Sequence, residues 1–270
     1  MGWFQEELHG EVAQSIRVDE DIYAGRTEYQ TLRFFRNDLL GRVMVLDGAV
    51  QVTELDEPIY SEMMVHVPVL SHPDPKRVLI VGGGDGTCLR EAVRHENIRE
   101  AVLAELDGGL IELCERHMPD MVQGAFRHEK ARLAIGDAVD FIAKTEDRFD
   151  VIIVDSTDPA GPSEPLFTSE FYQGCKAVLA RGGVLVAQAG CPMYQKDFGR
   201  QIGVDLAELF SYHGYYQAAV PSYLGGLHAF AWGSDAIDLK AVTPRPCDFE
   251  TRYYSDNSRM ASFLLPFPKV

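Results

Sequence analysis

The chain lacks most of what would mark a secreted, membrane-bound or nucleic-acid-binding protein. Its five cysteines (Cys88, Cys114, Cys175, Cys191 and Cys247) are odd in number, widely scattered and without a C-x-x-C pair, which argues against a disulfide framework or a zinc knuckle. Cys114 and His117 lie three apart on an expected helix, but with no second pair in view helix packing is the better reading, and no metal is implied. H-E-x-x-H and G-x-S-x-G are both missing, so zinc hydrolysis and nucleophile-elbow chemistry lose their usual markers. No apolar run approaches the roughly 18 to 20 residues of a membrane span. The opening MGWFQEELHGE is acidic rather than a basic leader, so a cytoplasmic protein with no membrane partner is expected. Basic residues are scarce: 25 Lys and Arg against 41 Asp and Glu give a formal charge of -16. Phosphate binding needs a basic face, so nucleic acid is not an expected partner. Polycations fit better, although many cytoplasmic proteins are acidic for solubility alone.

What is present is an ordinary globular composition, 46% hydrophobic and 24% charged over 270 residues, enough for one large α/β domain with a small companion. Short β-rich stretches at Gln14 to Val18, Thr31 to Phe35, Arg42 to Leu46 and Ala49 to Thr53 predict a small antiparallel β-domain. Asp47-Gly48 is a two-residue hairpin signal within it. A helical pattern runs from Glu57 to His66. From Arg77 apolar strands (Val78 to Val81, Ala101 to Leu106, Arg132 to Ile135, Val151 to Val154, Val184 to Ala187) alternate with amphipathic helices, and two further strands flank PSYLGG. Strands this apolar are buried on both faces, which predicts a parallel, doubly wound sheet. The domains expected are 1–60 and 61–270.

In such sheets ligands bind beyond the carboxyl ends of the strands. After the first strand stands Gly82-Gly83-Gly84-Asp85-Gly86, where Thr87 breaks the dinucleotide fingerprint G-x-G-x-x-G. The spacing G-x-G-x-G resembles the loop of proteins that bind S-adenosyl compounds, against the plainer reading of a tight turn. Asp85 would repel a pyrophosphate and suits a cation. Glu105, about twenty residues on, is placed to accept from ribose hydroxyls. Asp137, in Gly136-Asp137-Ala138, serves either an adenine amino group or the N-cap of the next helix. After the fourth strand come Asp155 and Asp158 in DSTDPAGP, a Pro- and Gly-rich loop read as a lid over the site. Three carboxylates with no obvious neutralising Lys or Arg in these motifs make a pocket for amines.

With GRVMVLDGAVQVTELDEPIYSEMMVHVPVL, VLIVGGGDGTCLRE, AELD, GDA, DSTDPAGPSEPLFTSEFY, VAQAG and PSYLGG, the sequence resembles the polyamine aminopropyltransferases over nearly its whole length, most closely those of the bacterial spermidine synthase type. The resemblance implies a doubly wound Rossmann-like domain of the S-adenosylmethionine methyltransferase type behind a small antiparallel β-domain, and a homodimer. It implies transfer of the aminopropyl group of decarboxylated S-adenosylmethionine to putrescine, with that donor as co-substrate and no prosthetic group. By resemblance Asp155 orients the attacking amine and takes its proton, helped by Tyr60 and Tyr223, while Asp158, Gln188 and Tyr223 meet the acceptor. Gln30, Gly82, Gly84, Asp85, Glu105, Asp137 and Ala138 meet the donor, and Pro159, Gly161 and Pro162 form the lid. Asp85 then faces the donor's ammonium, where S-adenosylmethionine would add a carboxylate. Two like charges about 4 Å apart cost on the order of 4 kcal/mol at an effective dielectric near 20.

Three places depart from the family pattern, of which Thr87, where a glycine or alanine is common, is expected to be tolerated. Ser61 stands where relatives carry His or Gln beside the nucleoside, and would reach it only through water. Ala189-Gly190-Cys191 lacks an acid common after the residue matching Gln188, which leaves the acceptor's length open. Cadaverine, agmatine and spermidine are the alternative acceptors. A methyltransferase conflicts with the three carboxylates, and a silent nucleoside- or polyamine-binding protein conflicts with the intact Asp155 and Tyr60.

Overall fold

The computed structural model describes residues 2–8, 10–159 and 161–264. Strands β1 (Gly2–Leu8) and β2 (Val12–Val18) pair as an antiparallel ribbon, and β3 (Glu20–Arg26), β4 (Thr31–Asn37), β5 (Gly41–Leu46) and β6 (Ala49–Thr53) form a four-stranded antiparallel sheet in that order. The period of two decides which way each side chain faces. Phe35, Val43, Val45 and Val50 pack on Phe4, Ile16 and Val18 of the ribbon, while Phe34, Met44, Leu46 and Val52 join the core of the larger domain. Asp47-Gly48 turns β5 into β6 with φ of 46° and 85°, the left-handed pair that such a hairpin requires. β1 and β3 carry no apolar alternation strong enough to show in the sequence; among residues 2–7 of β1 only Phe4 is a buried hydrophobic.

Helix α1 (Glu57–Ser71) follows, ahead of the boundary expected at residue 60, and is buried on nearly every side. The large domain is built on a seven-stranded sheet. Its strands are β7 (Arg77–Gly82), β8 (Glu100–Glu105), β9 (Ala131–Ile135), β10 (Phe149–Asp155), β11 (Leu179–Gln188), β12 (Tyr212–Ala218) and β13 (His228–Ser234), in the order β12-β13-β11-β10-β7-β8-β9. The five strands from β9 to β11 are parallel. β13 runs antiparallel to both β11 and β12, so the sheet is mixed rather than wholly parallel. The short PSYLGG link allows no helical crossover, and two strands joined that tightly must run in opposite directions.

Helices cover both faces. Ile80, Leu103, Val151 and Ile153 pack toward α1, α2 (Thr87–Arg94), α3 (Gly108–His117) and α4 (Pro119–Val122). Leu79, Val81, Ile152 and Val154 pack toward α5 (Ala138–Lys144), α6 (Ser169–Val178) and α7 (Lys196–Leu209). A last helix, α8 (Asp256–Ser262), lies near the end of the chain. Chain order reverses between β7 and β10, whose ends meet as Gly82 opposite Asp155. A crevice opens at such a reversal, beyond the strand ends. Cys114 and His117 serve packing, the Cys114 thiol lying 3.6 Å from Met44 Sδ and the His117 ring stacking on Tyr23 at 5.1 Å. Among the described residues no helix is long and apolar enough to cross a membrane.

Candidate active site

At the reversal point lies a cavity of about 430 Å³. The close approach of β7 and β10 sets its floor. The Gly83 N–H donates to the Asp155 carbonyl at 2.7 Å, and Gly82 has φ +76° with any Cβ falling 2.3 Å from that carbonyl oxygen. Only glycine fits there. Asp155 is thereby fixed at the centre of the crevice. Its Oδ1 accepts from the Tyr60 hydroxyl at 2.7 Å, and the buried Cys88 thiol supplies a second hydrogen bond to the carboxylate. Tyr60 projects from α1 into an aromatic wall, with ring centroids 5.8 Å from Tyr223, 5.2 Å from His228 and 5.3 Å from Phe230.

Burial pushes the Asp155 carboxyl upward, against the lowering effect of its two donors. Asp85 is raised to about 6, first by burial and then by the charge of Asp155, while the backbone N–H and hydroxyl of Thr87 at 2.7 and 2.8 Å pull the other way. Glu105 is raised to about 7, chiefly by burial, with the Asp107 N–H bond at 2.8 Å opposing. Tyr60 and Tyr223 are pushed well up by burial and stay protonated donors. Burial holds His228 down at about 3, so its imidazole is neutral. The cavity therefore concentrates carboxylates, and among the described residues neither Lys nor Arg lines it.

The structure gathers most of the residues expected from the sequence. Gln30, Tyr60, Gly82, Gly84, Asp85, Glu105, Asp137, Ala138, Asp155, Asp158, Pro162, Gln188 and Tyr223 all line this one cavity; Pro159 and Gly161 of the expected lid do not. Residues 161–167 of that lid form a 3₁₀ helix rather than an irregular loop, and Ala160 lies outside the described residues. Asp137 does caps and cavity at once: its Oδ1 accepts from Val139 N at 2.8 Å as the N-cap of α5. The Tyr223 hydroxyl donates to the Gln51 carbonyl at 2.7 Å, so it can meet an amine only as an acceptor. Both ends of the Gln188 amide have backbone partners, Ser156 O at 3.1 Å and Gly190 N at 2.9 Å.

Two models of known domains divide the chain between them: a spermine/spermidine synthase domain matches residues 57–242 and a spermidine synthase tetramerisation domain matches residues 2–54. The chain belongs to the spermine/spermidine synthase family of polyamine aminopropyltransferases. It is 46% identical to a polyamine aminopropyltransferase of Erwinia tasmaniensis over 98% of this chain and 95% of the relative. Identity to polyamine aminopropyltransferase 1 of Pseudomonas aeruginosa is 43%, over 98% and 96%. Among solved structures, a spermidine synthase in complex with the transition-state analogue AdoDATO superposes with a TM-score of 0.94 at 36% identity, covering 98% of this chain and 92% of the other. Spermidine synthase from Thermotoga maritima gives 0.93 at 35%, with the same coverage.

Within that family frame, the Ser61 expectation is corrected. Ser61 is fully buried and is not part of the cavity wall; its hydroxyl turns onto Glu57, which in turn pairs with Arg90 at 2.7 Å. A buried guanidinium needs its carboxylate, and Ser61 completes that pair. Other wall residues escaped the sequence reading. Glu6 of β1 is 5% exposed, accepts from Val50 N at 3.1 Å, and has its carboxyl raised by burial and, more weakly, by Asp158. Asp107 ties the two domains together, accepting from Thr27 Oγ1 at 2.6 Å and Gln30 Nε2 at 2.8 Å while its Oδ1 caps α3. Its place at the end of AELD, just before an apolar helix, was the available signal. Glu6 had none, because a lone acid in a polar strand points nowhere until the strand is placed.

Proposed function

We propose that this chain is a spermidine synthase, transferring the aminopropyl group of decarboxylated S-adenosylmethionine to putrescine. The observation that carries the reading is the cavity itself, walled by Glu6, Asp85, Asp155 and Asp158 with no lining Lys or Arg among the described residues. An amine with a pKa near that of lysine, roughly 10, must lose a proton before it can attack. Asp155, held by Tyr60 and made more basic by burial, takes that proton. The freed nitrogen lone pair then attacks the carbon beside the sulfonium. The carbon–sulfur bond breaks with its electrons going to sulfur, giving neutral 5′-methylthioadenosine and the lengthened amine. Because sulfonium is already a good leaving group, alignment is the protein's main contribution.

The donor's ammonium faces Asp85, with Gln30, Gly82, Gly84, Glu105, Asp137 and Ala138 around its nucleoside. The acceptor's far ammonium lies between Glu6 and Asp158, with Gln188 bracing the loops on either side and Pro162 above. We expect a cytoplasmic enzyme and a homodimer built through the N-terminal sheets. A methyltransferase reading fails on the same observation, since a methionine carboxylate would sit against Asp85. Calorimetric titration tests this: decarboxylated S-adenosylmethionine should bind at least about 100-fold more tightly than S-adenosylmethionine. Equal affinities would overturn the reading.

A further inference from the structure

Gly190 lies in the turn after β11, beside the cavity-lining Gln188 and Cys191, and the structure shows what occupies the room next to it. Gly190 has φ +64°, and a Cβ there would fall 2.5 Å from Gln195 Oε1. Gln195 is the N-cap residue of α7 and lines the cavity. Its Oε1 accepts from Cys191 N at 2.7 Å, and its Nε2 donates to Asp158 Oδ2. One amide thus joins the turn after β11 to the loop after β10. Asp158 and Glu6 line the same cavity, and burial, far more than Asp158, raises the Glu6 carboxyl. A hydrogen bond accepted by an ionised carboxylate is stronger than a neutral one and pins the group in place, and the carboxylate's position sets where an ammonium can rest.

We propose that Gln195 is the specificity-determining residue of the acceptor site. It fills the space that Gly190 leaves, holds the Asp158 carboxylate in place, and so fixes how long a diamine the cavity accepts. Gln195 acts through Asp158, to which it is hydrogen-bonded, and belongs to binding rather than to chemistry. The proposal rests on the aminopropyltransferase reading above.

Two variants separate filling from holding. Gln195→Met keeps the volume and removes both hydrogen bonds; Gln195→Ala removes both volume and bonds. Steady-state kinetics with putrescine, cadaverine and spermidine should show KM for putrescine rising about tenfold in each, the cost of one hydrogen bond to a charged group, with kcat within about twofold and methylthioadenosine affinity unchanged. Gln195→Ala should in addition shift the kcat/KM ratio of spermidine to putrescine about tenfold toward the longer amine, and Gln195→Met should shift it less. An unchanged putrescine KM, or equal losses for all three amines, would overturn the proposal while leaving aminopropyl transfer standing. Absence of transfer by the unmodified protein would overturn both.

Discussion

Asp85 and Asp155 illustrate what an active site costs a fold. Both carboxyls are raised by burial, and Asp85 also by the charge of its neighbour. Because its folded-state pKa of about 6 lies above the ordinary carboxylate value, the folded protein binds more protons than the unfolded chain between those values. Stability therefore falls as pH rises through that window. Asp85→Asn should stabilise the ligand-free protein at pH 7 by on the order of 1 to 2 kcal/mol, with the gain shrinking as pH falls toward 4. The carbonyl of Asn still accepts from Thr87 N. Thermal melts across pH measure this, and a variant no more stable at pH 7 would show that Asp85 carries no such cost. Asp155→Asn keeps the shape and loses the proposed proton acceptor. Turnover should drop by at least about 100-fold with methylthioadenosine binding nearly intact, and near-native turnover would remove Asp155 from the mechanism.

At the scale of elements, the site is legible where strand ends carry it and hidden where distant segments complete it. Asp85, Glu105, Asp137 and Asp155 each follow a strand of the parallel block, so reading the residue after every apolar run finds them. Glu6 and Gln195 are unreadable because their roles depend on where a polar ribbon and a helix N-terminus come to rest. The antiparallel pairing of β12 and β13 is legible in the short PSYLGG link, which leaves no room for a crossover, whereas the apolar run of β13, buried along its length, does not show that it also runs against β11. β1 and β3 were invisible because their outward faces dominate their composition. The loop at Gly82 is the opposite case, being fully specified locally. Gly82→Ala would force the Asp155 carbonyl away by its Cβ contact of 2.3 Å and a left-handed φ costs a non-glycine residue roughly 1 to 2 kcal/mol. The variant should fold with a lower melting temperature and lose turnover by about tenfold or more. Full activity in a kinetic assay would mean that β7 and β10 need not approach so closely.

For the molecule as a whole, the excess of acidic residues now has a local counterpart. The formal charge of -16 by itself fits solubility as well as it fits cationic ligands; the cavity adds a local concentration of carboxylates, Glu6, Asp85, Glu105, Asp155 and Asp158 among them. The two domains share that cavity. Glu6, Gln30 and Gln51 reach it from the N-terminal sheets and Asp155 from the α/β domain, while Asp56, 2% exposed, accepts from Ser222 N at 2.7 Å and fastens the loop before β13 to the junction between them. Binding energy from the acceptor's far end can thus be used to align its near nitrogen for attack. The most direct test is an acceptor panel: purified protein with decarboxylated S-adenosylmethionine and, in turn, putrescine, cadaverine, agmatine and spermidine, with methylthioadenosine and the new polyamine quantified by mass. Putrescine should give the highest kcat/KM, with spermidine and methylthioadenosine formed in equal amounts. Preference for another amine would contradict the assignment of putrescine, and no product with any amine would contradict aminopropyl transfer itself.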